Sequence, residues 1–254
     1  MPFMNKIKHT PLQGLFSGIL LMSLWQAITY FGKMPSYILP TPWQVVKAFN
    51  RHISLIGWHF VITSSQVFSG LLIASLVGIG LAILLDRYDF LQRWVHPIFV
   101  MMQATPSFIL MPLLLIWCGF GFLPKMIVVC LSGFFPITLC LLSSLKQTPS
   151  DWLDLAAVMK ASSFQVTKII RWPAALPGLF SGIKLAAIYA PLTVLAADWS
   201  GANEGLGYLI MLCHGRLQTD LMFACLLCII LLTLLLNRFI YFLESKFIFW
   251  PSQI

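Results

Sequence analysis

The sequence predicts an all-α, polytopic membrane protein of about six transmembrane helices, and three observations predict it. Hydrophobic residues make up 59% of the 254 and charged residues only 9%, a balance that cannot solvate a globular surface. Mean hydropathy is +0.88. Apolar runs of the roughly 20 residues that cross a hydrocarbon core of about 30 Å recur along the chain. Lys and Arg gather beside those runs, so the net charge of +8 points to membrane orientation and anionic headgroups rather than nucleic acid.

Six spans are expected, over residues 15–31, 59–85, 96–117, 123–142, 174–197 and 221–243. Basic Lys6 and Lys8 precede the first, but no small-residue cleavage pattern follows it. Tyr30, Phe31, Gly32 and Lys33 come instead, so it is read as a retained anchor. Pro35, Pro40 and Pro42, followed by an amphipathic stretch, predict a turn and a short interfacial helix anchored by Trp43. The third span holds Gln103, Thr105 and Ser107 around the helix-distorting Pro106, and the fourth holds Phe134, Phe135 and Pro136. Tyr189, Pro191 and Thr193 repeat the pattern in the fifth. Such breaks line cavities or serve interhelical packing.

The candidate translocation pathway is therefore Gln103, Thr105, Phe134, Phe135, Tyr189, Thr193, Asp198 and Trp199, suited to a small planar polar solute. Asp198 reads equally well as the interfacial end of the fifth span. Lys184, deeper in that span, is read as a structural cation whose aliphatic stem snorkels toward the interface. His59 and His96 flank spans and are placed at the interface.

Orientation follows from the cations. With the amino terminus cytoplasmic, that side holds Lys6, Lys8, Arg87, Arg93, Lys146, Lys160, Lys168, Arg171, Arg238 and Lys246, ten in all. The opposite side keeps five: Lys33, Lys47, Arg51, Lys125 and Arg216. The positive-inside rule assigns the topology accordingly.

The stretch from Asp154 to Gly182, which takes up most of a loop over residues 149–172, is polar enough to leave the bilayer between two long apolar runs. Asp154, Lys160, Lys168 and Arg171 alternate there with Leu155, Met159, Phe164 and Ile169, which predicts short surface helices offering apolar contacts to a partner. These helices are expected over residues 150–159 and 163–170. Ser150 is expected to cap the first after Pro149, and Ser162 with Gln165 to form a capping box on the second. Pro173 and Pro177 are expected to end the surface helices and begin the next span.

This stretch, DLAAVMKASSFQVTKIIRWPAALPGLFSG, resembles the signature "EAA" loop of ABC importer permeases. Asp154 stands where that family usually has Glu, Ala156 at the second alanine, Ala161 and Ser162 just after the glycine position, Ile170 at the isoleucine, and Pro173 and Pro177 at the prolines. Two positions depart: Lys160 replaces the glycine and Trp172 the leucine before Pro173. If the site needs a left-handed backbone, a non-glycine residue there costs about 1 to 2 kcal/mol. Similarity continues through GLFSGIKLAAIYAP, DWSGANEGLGYLI and GRLQTDLMFA, blocks that resemble the sulfonate, taurine and nitrate permeases and, more closely, those for a thiamine pyrimidine precursor.

The resemblance implies a type I importer permease: one transmembrane domain over residues 1–254, multi-pass in the bacterial inner membrane, working as a homodimer by alternating access. It implies cytoplasmic ABC ATPase subunits gripping the loop, which use ATP and Mg, and an extracytoplasmic solute-binding protein. Asn203, Glu204, Gly205 and Gly207 form the block expected to face that protein, and Asp198 and Asp220 are expected to face it as well. The implied solute is a pyrimidine such as hydroxymethylpyrimidine, with sulfonate, taurine or nitrate as the alternative.

The residues also exclude chemistry of the chain's own. No G-x-x-x-x-G-K-[ST] loop is present to cradle phosphates, so the chain is read as non-catalytic and without a bound cofactor or metal. Cys225 and Cys228 form a CxxC on an apolar helix without histidine, which reads as packing. An ion-coupled secondary transporter or channel would call for carboxylates within the spans or a polar ring, and few acidic residues fall there.

Overall fold

The computed structural model describes residues 11–248, and every regular element among them is helical. Lys6 and Lys8, which entered the orientation count, lie outside the described residues. The described residues divide between two compact units, one within residues 1–56 and 210–227 and the other within residues 57–209 and 228–254.

The first unit contains α1 (Pro11–Phe31), α2 (Pro42–Arg51) and the start of α3 (Ile53–Arg87), with the end of α10 (Leu206–Gly215) and the start of α11 (Thr219–Phe247). The expected short helix is α2. Pro42 sits in its first turn, and Thr41 caps it by accepting the Gln44 N–H at 3.3 Å while Gln44 Oε1 accepts the Thr41 N–H at 2.8 Å. Val45 and Ala48 are buried and Trp43 is exposed, as an amphipathic period requires. The Trp25 indole donates to the Pro40 carbonyl at 3.1 Å and packs on Phe223, while the Thr219 hydroxyl donates to the Tyr37 carbonyl at 2.6 Å.

The second unit is built on α3, α6 (Phe122–Lys146), α9 (Trp172–Asp198) and α11, around a core that includes Val67, Ala74, Ile137, Leu141, Ala187 and Leu236. Small residues let the helices approach. A Cβ on Gly70 would lie 2.6 Å from Val129, and one on Gly182 would lie 2.8 Å from the Ile137 Cα. Without water to expel between helices in a bilayer, such close backbone packing is what holds spans together. Four helices among the described residues are long and apolar enough to cross a membrane: Ile53–Arg87, Phe122–Lys146, Ser163–Asp198 and Thr219–Phe247. Gly18–Phe31, Ser107–Cys118 and Leu206–Gly215 are shorter apolar helices.

The third expected span, 96–117, is not one helix. It divides into α4 (Asp89–Ala104), a 3₁₀ turn (Ser107–Leu110) and α5 (Met111–Cys118). The cause is local. Thr105 precedes proline, which pushes it to φ −103°, ψ 119°, and Pro106 has no N–H with which to continue the helix. The proline expected to distort this span therefore breaks it.

The polar segment forms α7 (Ser150–Val158), then α8 (Ser163–Gln165), which runs through a π turn (Val166–Arg171) directly into α9. Two expectations are corrected here. Pro149 occupies the N-cap position and Ser150 is the first helical residue, so Ser150 caps nothing. Pro173 does not separate a surface helix from a span, because residues 163–198 form one continuous helix. The π turn ends at Arg171, two residues before Pro173, and a wider turn relieves the clash between a proline ring and the preceding carbonyls.

Candidate functional site

Two sites emerge in the second unit. The first is the polar loop. Ala156 is α7's buried residue, 3% exposed, while Trp152, Leu155, Val158 and Met159 stand 52 to 81% exposed around it. The helix then stops in a Schellman arrangement. The Ala161 N–H bonds the Ala156 carbonyl and the Lys160 N–H bonds the Ala157 carbonyl, both at 3.0 Å. Lys160 itself sits at φ +53°, so the position has the left-handed backbone expected for a glycine site. Two residues later the capping box is formed as the sequence indicates: Ser162 Oγ accepts the Gln165 N–H at 3.3 Å, and Gln165 Oε1 accepts the Ser162 N–H at 2.8 Å.

Phe164 and Ile169 are 73% and 68% exposed, extending the apolar surface past the turn, and the Lys168 ammonium lies 5.9 Å from the Phe164 ring centre. Asp154 and Lys160 are exposed, Ile170, Pro173 and Pro177 half-buried. At the root, Arg171 donates to both oxygens of Asp86, at 2.8 and 2.7 Å, and to the Leu145 carbonyl at 3.1 Å. A planar fork on a carboxylate fixes direction as well as distance, so the loop is joined rigidly to the last turns of α3 and α6.

The second site is a cavity of about 900 Å³ walled by α4, the 3₁₀ turn, α6 and α9. Thr105, Phe135, Tyr189, Thr193 and Trp199 all lie on its wall, beside Ser107 and Ser132. Among the described residues no Asp, Glu, Lys, Arg or His lines it, and the polar side-chain groups they bring to it are hydroxyls and an indole. The broken third span supplies much of that wall, which is where irregular backbone is tolerated at membrane depth.

Other expected pathway residues lie elsewhere. Phe134 is 6% exposed and packs edge-on against Phe99, which also meets the Phe135 ring at 5.2 Å. The side chain of Gln103 falls outside the described residues. Asp198 is 3% exposed and paired with Lys125, so it neither lines the cavity nor faces outward. Of the loop expected to face a binding protein, Asn203 and Glu204 are exposed, whereas Gly205 and Gly207 are buried against Asp198. His59, placed at the interface by its position, is likewise buried, at 6%. Lys184 is structural: it meets both Glu244 oxygens, at 2.8 and 2.7 Å, and lies 4.4 Å from the Tyr241 ring centre.

Asp86, Lys125, His59, Thr63 and Glu244 were not singled out as site residues. A signal for two of them existed. Lys125 begins the fourth span and Asp198 ends the fifth, so opposite charges share one depth; Asp86 and Arg171 repeat this at the other end.

Comparison with known proteins gives these sites a context. The family described as binding-protein-dependent transport system inner membrane component matches residues 60–249. A probable ABC transporter permease protein of Haemophilus influenzae is 37% identical over 92% of this chain and 95% of its own length. The formylaminopyrimidine transport permease of Halalkalibacterium halodurans is 31% identical over 75% of this chain and 76% of its own. Permeases named for aliphatic sulfonates, riboflavin, taurine and nitrate match as well. Among solved structures, inward-facing MetNI, a methionine ABC transporter, shares the fold with a TM-score of 0.68 at 16% identity, covering 78% of this chain and 98% of that one.

Proposed function

This chain belongs to the binding-protein-dependent transport system inner-membrane components and is an ABC importer permease, a multi-pass membrane subunit; from that premise we propose that ATPase subunits grip residues 150–171 and drive a pyrimidine solute through the cavity beside α9. The observation that carries the coupling role is the loop's form. Six large apolar side chains stand exposed on a segment that also carries Asp154, Lys160 and Lys168, and its root is held by the Arg171–Asp86 fork. An exposed apolar patch with a rigid base suits a protein partner that pushes on it.

The amino terminus is assigned to the cytoplasm, which puts this loop on the side where ATP and Mg are bound and used by the partner. A solute-binding protein delivers from the opposite side, where Asn203 and Glu204 are accessible. Two copies of the chain enclose the pathway, and its two access states differ in affinity so that ATP biases the exchange. The chain itself performs no bond chemistry.

For the solute, support comes from the cavity and from the named pyrimidine relative together. Aromatic and hydroxyl walls, with no cation among the described lining residues, suit a neutral, flat, hydrogen-bonding ring better than sulfonate or nitrate, whose charge those residues would leave unpaired. In proteoliposomes containing the permease, ATPase and binding protein, labelled hydroxymethylpyrimidine should accumulate with ATP and not without the ATPase. Accumulation of taurine or nitrate instead would overturn the solute assignment, and uptake driven by an ion gradient alone would overturn the importer cycle. Tyr189→Ala with Thr193→Ala should reduce uptake at least about tenfold, since each removes contacts worth on the order of 1 kcal/mol or more; unchanged uptake would clear these residues of a pathway role.

A further inference from the structure

Lys125 and Asp198 form the most deeply buried ion pair among the described residues, with side chains 5% and 0% exposed. Nothing in the importer cycle described above uses it. Around it, the turn that leads from α9 into α10 is tied down at each step. Lys125 Nζ donates to the Glu204 carbonyl at 2.9 Å, and Asp198 Oδ2 accepts the Gly207 N–H at 3.1 Å. From α3, His59 Nδ1 accepts the Gly205 N–H at 3.1 Å and Thr63 Oγ1 accepts the Leu206 N–H at 2.8 Å. The turn is moulded to the carboxylate: a Cβ on Gly207 would lie 2.5 Å from Asp198 Cβ, and Gly205, at φ +116°, is pressed against the same side chain.

Such a pair is a poor way to stabilise a fold. Desolvating both ions offsets most of their attraction, and apolar residues of equal volume commonly serve stability as well or better. What a buried pair does provide is registry, because its charges are satisfied only in the geometry that brings their partners together. Here the registry joins α9 to the first turn of α6 and to residues 199–207. The opposite end of α9 is joined by Arg171 to Asp86 and to the Leu145 carbonyl of that same α6. Arg171 and Asp198 are separated by about 40 Å of helix at 1.5 Å per residue, without a hinge other than the prolines within α9.

We propose that the Lys125–Asp198 pair is a positioning element that makes the turn at residues 199–207 follow α9, so that displacement at the coupling loop reaches the far face of the membrane. It rests on the importer-permease assignment. Lys125 and Asp198 touch no solute; they act through the turn. A loosened turn leaves ATP hydrolysis running while solute transfer lags.

The test uses the double apolar variant Lys125→Met with Asp198→Leu in the full chain, assembled with its ATPase and binding protein. A spin label on Asn203→Cys, in a background carrying Cys118→Ser, Cys130→Ala and Cys140→Ala, reports the turn. The expected result is a variant that still folds and assembles, a label changed from immobilised to mobile, and ATP consumed per solute raised about tenfold, within the ordinary range of coupling effects. An immobilised label in the double variant would overturn the proposal, as would failure of the variant to assemble, which would make the pair a fold stabiliser. The label needs neither solute nor nucleotide, so it separates this proposal from the importer assignment: a parent that shows no ATP-driven uptake defeats that assignment, while the label still decides whether the pair positions the turn.

Discussion

The two ends of α9 carry the same chemistry in different surroundings. Each ends in a cation and a carboxylate drawn from different helices, yet the Arg171 and Asp86 side chains are 23% and 11% exposed while Lys125 and Asp198 are 5% and 0%. Partial solvation makes the first pair forgiving, because water re-solvates whichever partner remains. Burial makes the second unforgiving, since a lone charge there has nowhere to go. Contact geometry alone would rank the Arg171 fork higher, with two good bonds to one carboxylate. Burial reverses the ranking.

The largest expected effect is therefore at the buried end. Lys125→Met strands the Asp198 carboxylate and should destabilise the chain by about 3 to 5 kcal/mol, read as a fall in the thermal transition in detergent; a loss below that of the Arg171 variant would break the contrast between the two ends. Arg171→Gln should cost less, about 1 to 3 kcal/mol, because its charge-assisted bonds are partly exposed. It should also weaken cross-linking of a cysteine at Phe164 to the ATPase, as the loop loses its fixed root. The smallest effect has the opposite sign. Lys160→Gly relieves a left-handed non-glycine residue at φ +53° and should stabilise by about 1 kcal/mol with assembly intact or improved; loss of ATPase association would show that the lysine contacts the partner directly.

Much of the fold was legible because its signals are local. Four of the six expected spans coincide with long apolar helices, since hydropathy needs no tertiary information. The capping box at Ser162 and the left-handed position at Lys160 were legible for the same reason: caps and helix ends are decided within a few residues. The division of the third span was half legible. Pro106 announced a distortion, but whether a proline bends or breaks a helix depends on what can satisfy the freed backbone. At Pro173 the opposite happened, and a π turn carried the helix through.

The sites were legible in part. Thr105, Phe135, Tyr189 and Thr193 come from three separate stretches on the ground that polar or aromatic residues beside prolines line cavities, and they share one wall with Trp199. The same ground included Phe134 and failed, because neighbouring residues on a helix point about 100° apart and only packing decides which faces the void. Asp198 was misplaced for a related reason. Its position at the end of a span is as consistent with exposure as with burial until its partner is known.

By itself, then, the sequence determined what depends on composition and short range: a membrane protein, its long helices, the capped polar loop and the resemblance that its residues carry. Tertiary structure decided which charges meet. Lys125 and Asp198 lie 73 positions apart in the chain, and no local rule selects that pairing over others. It exists because close helix packing at small residues brings the two ends together, and because the low dielectric there strengthens the attraction between the two charges.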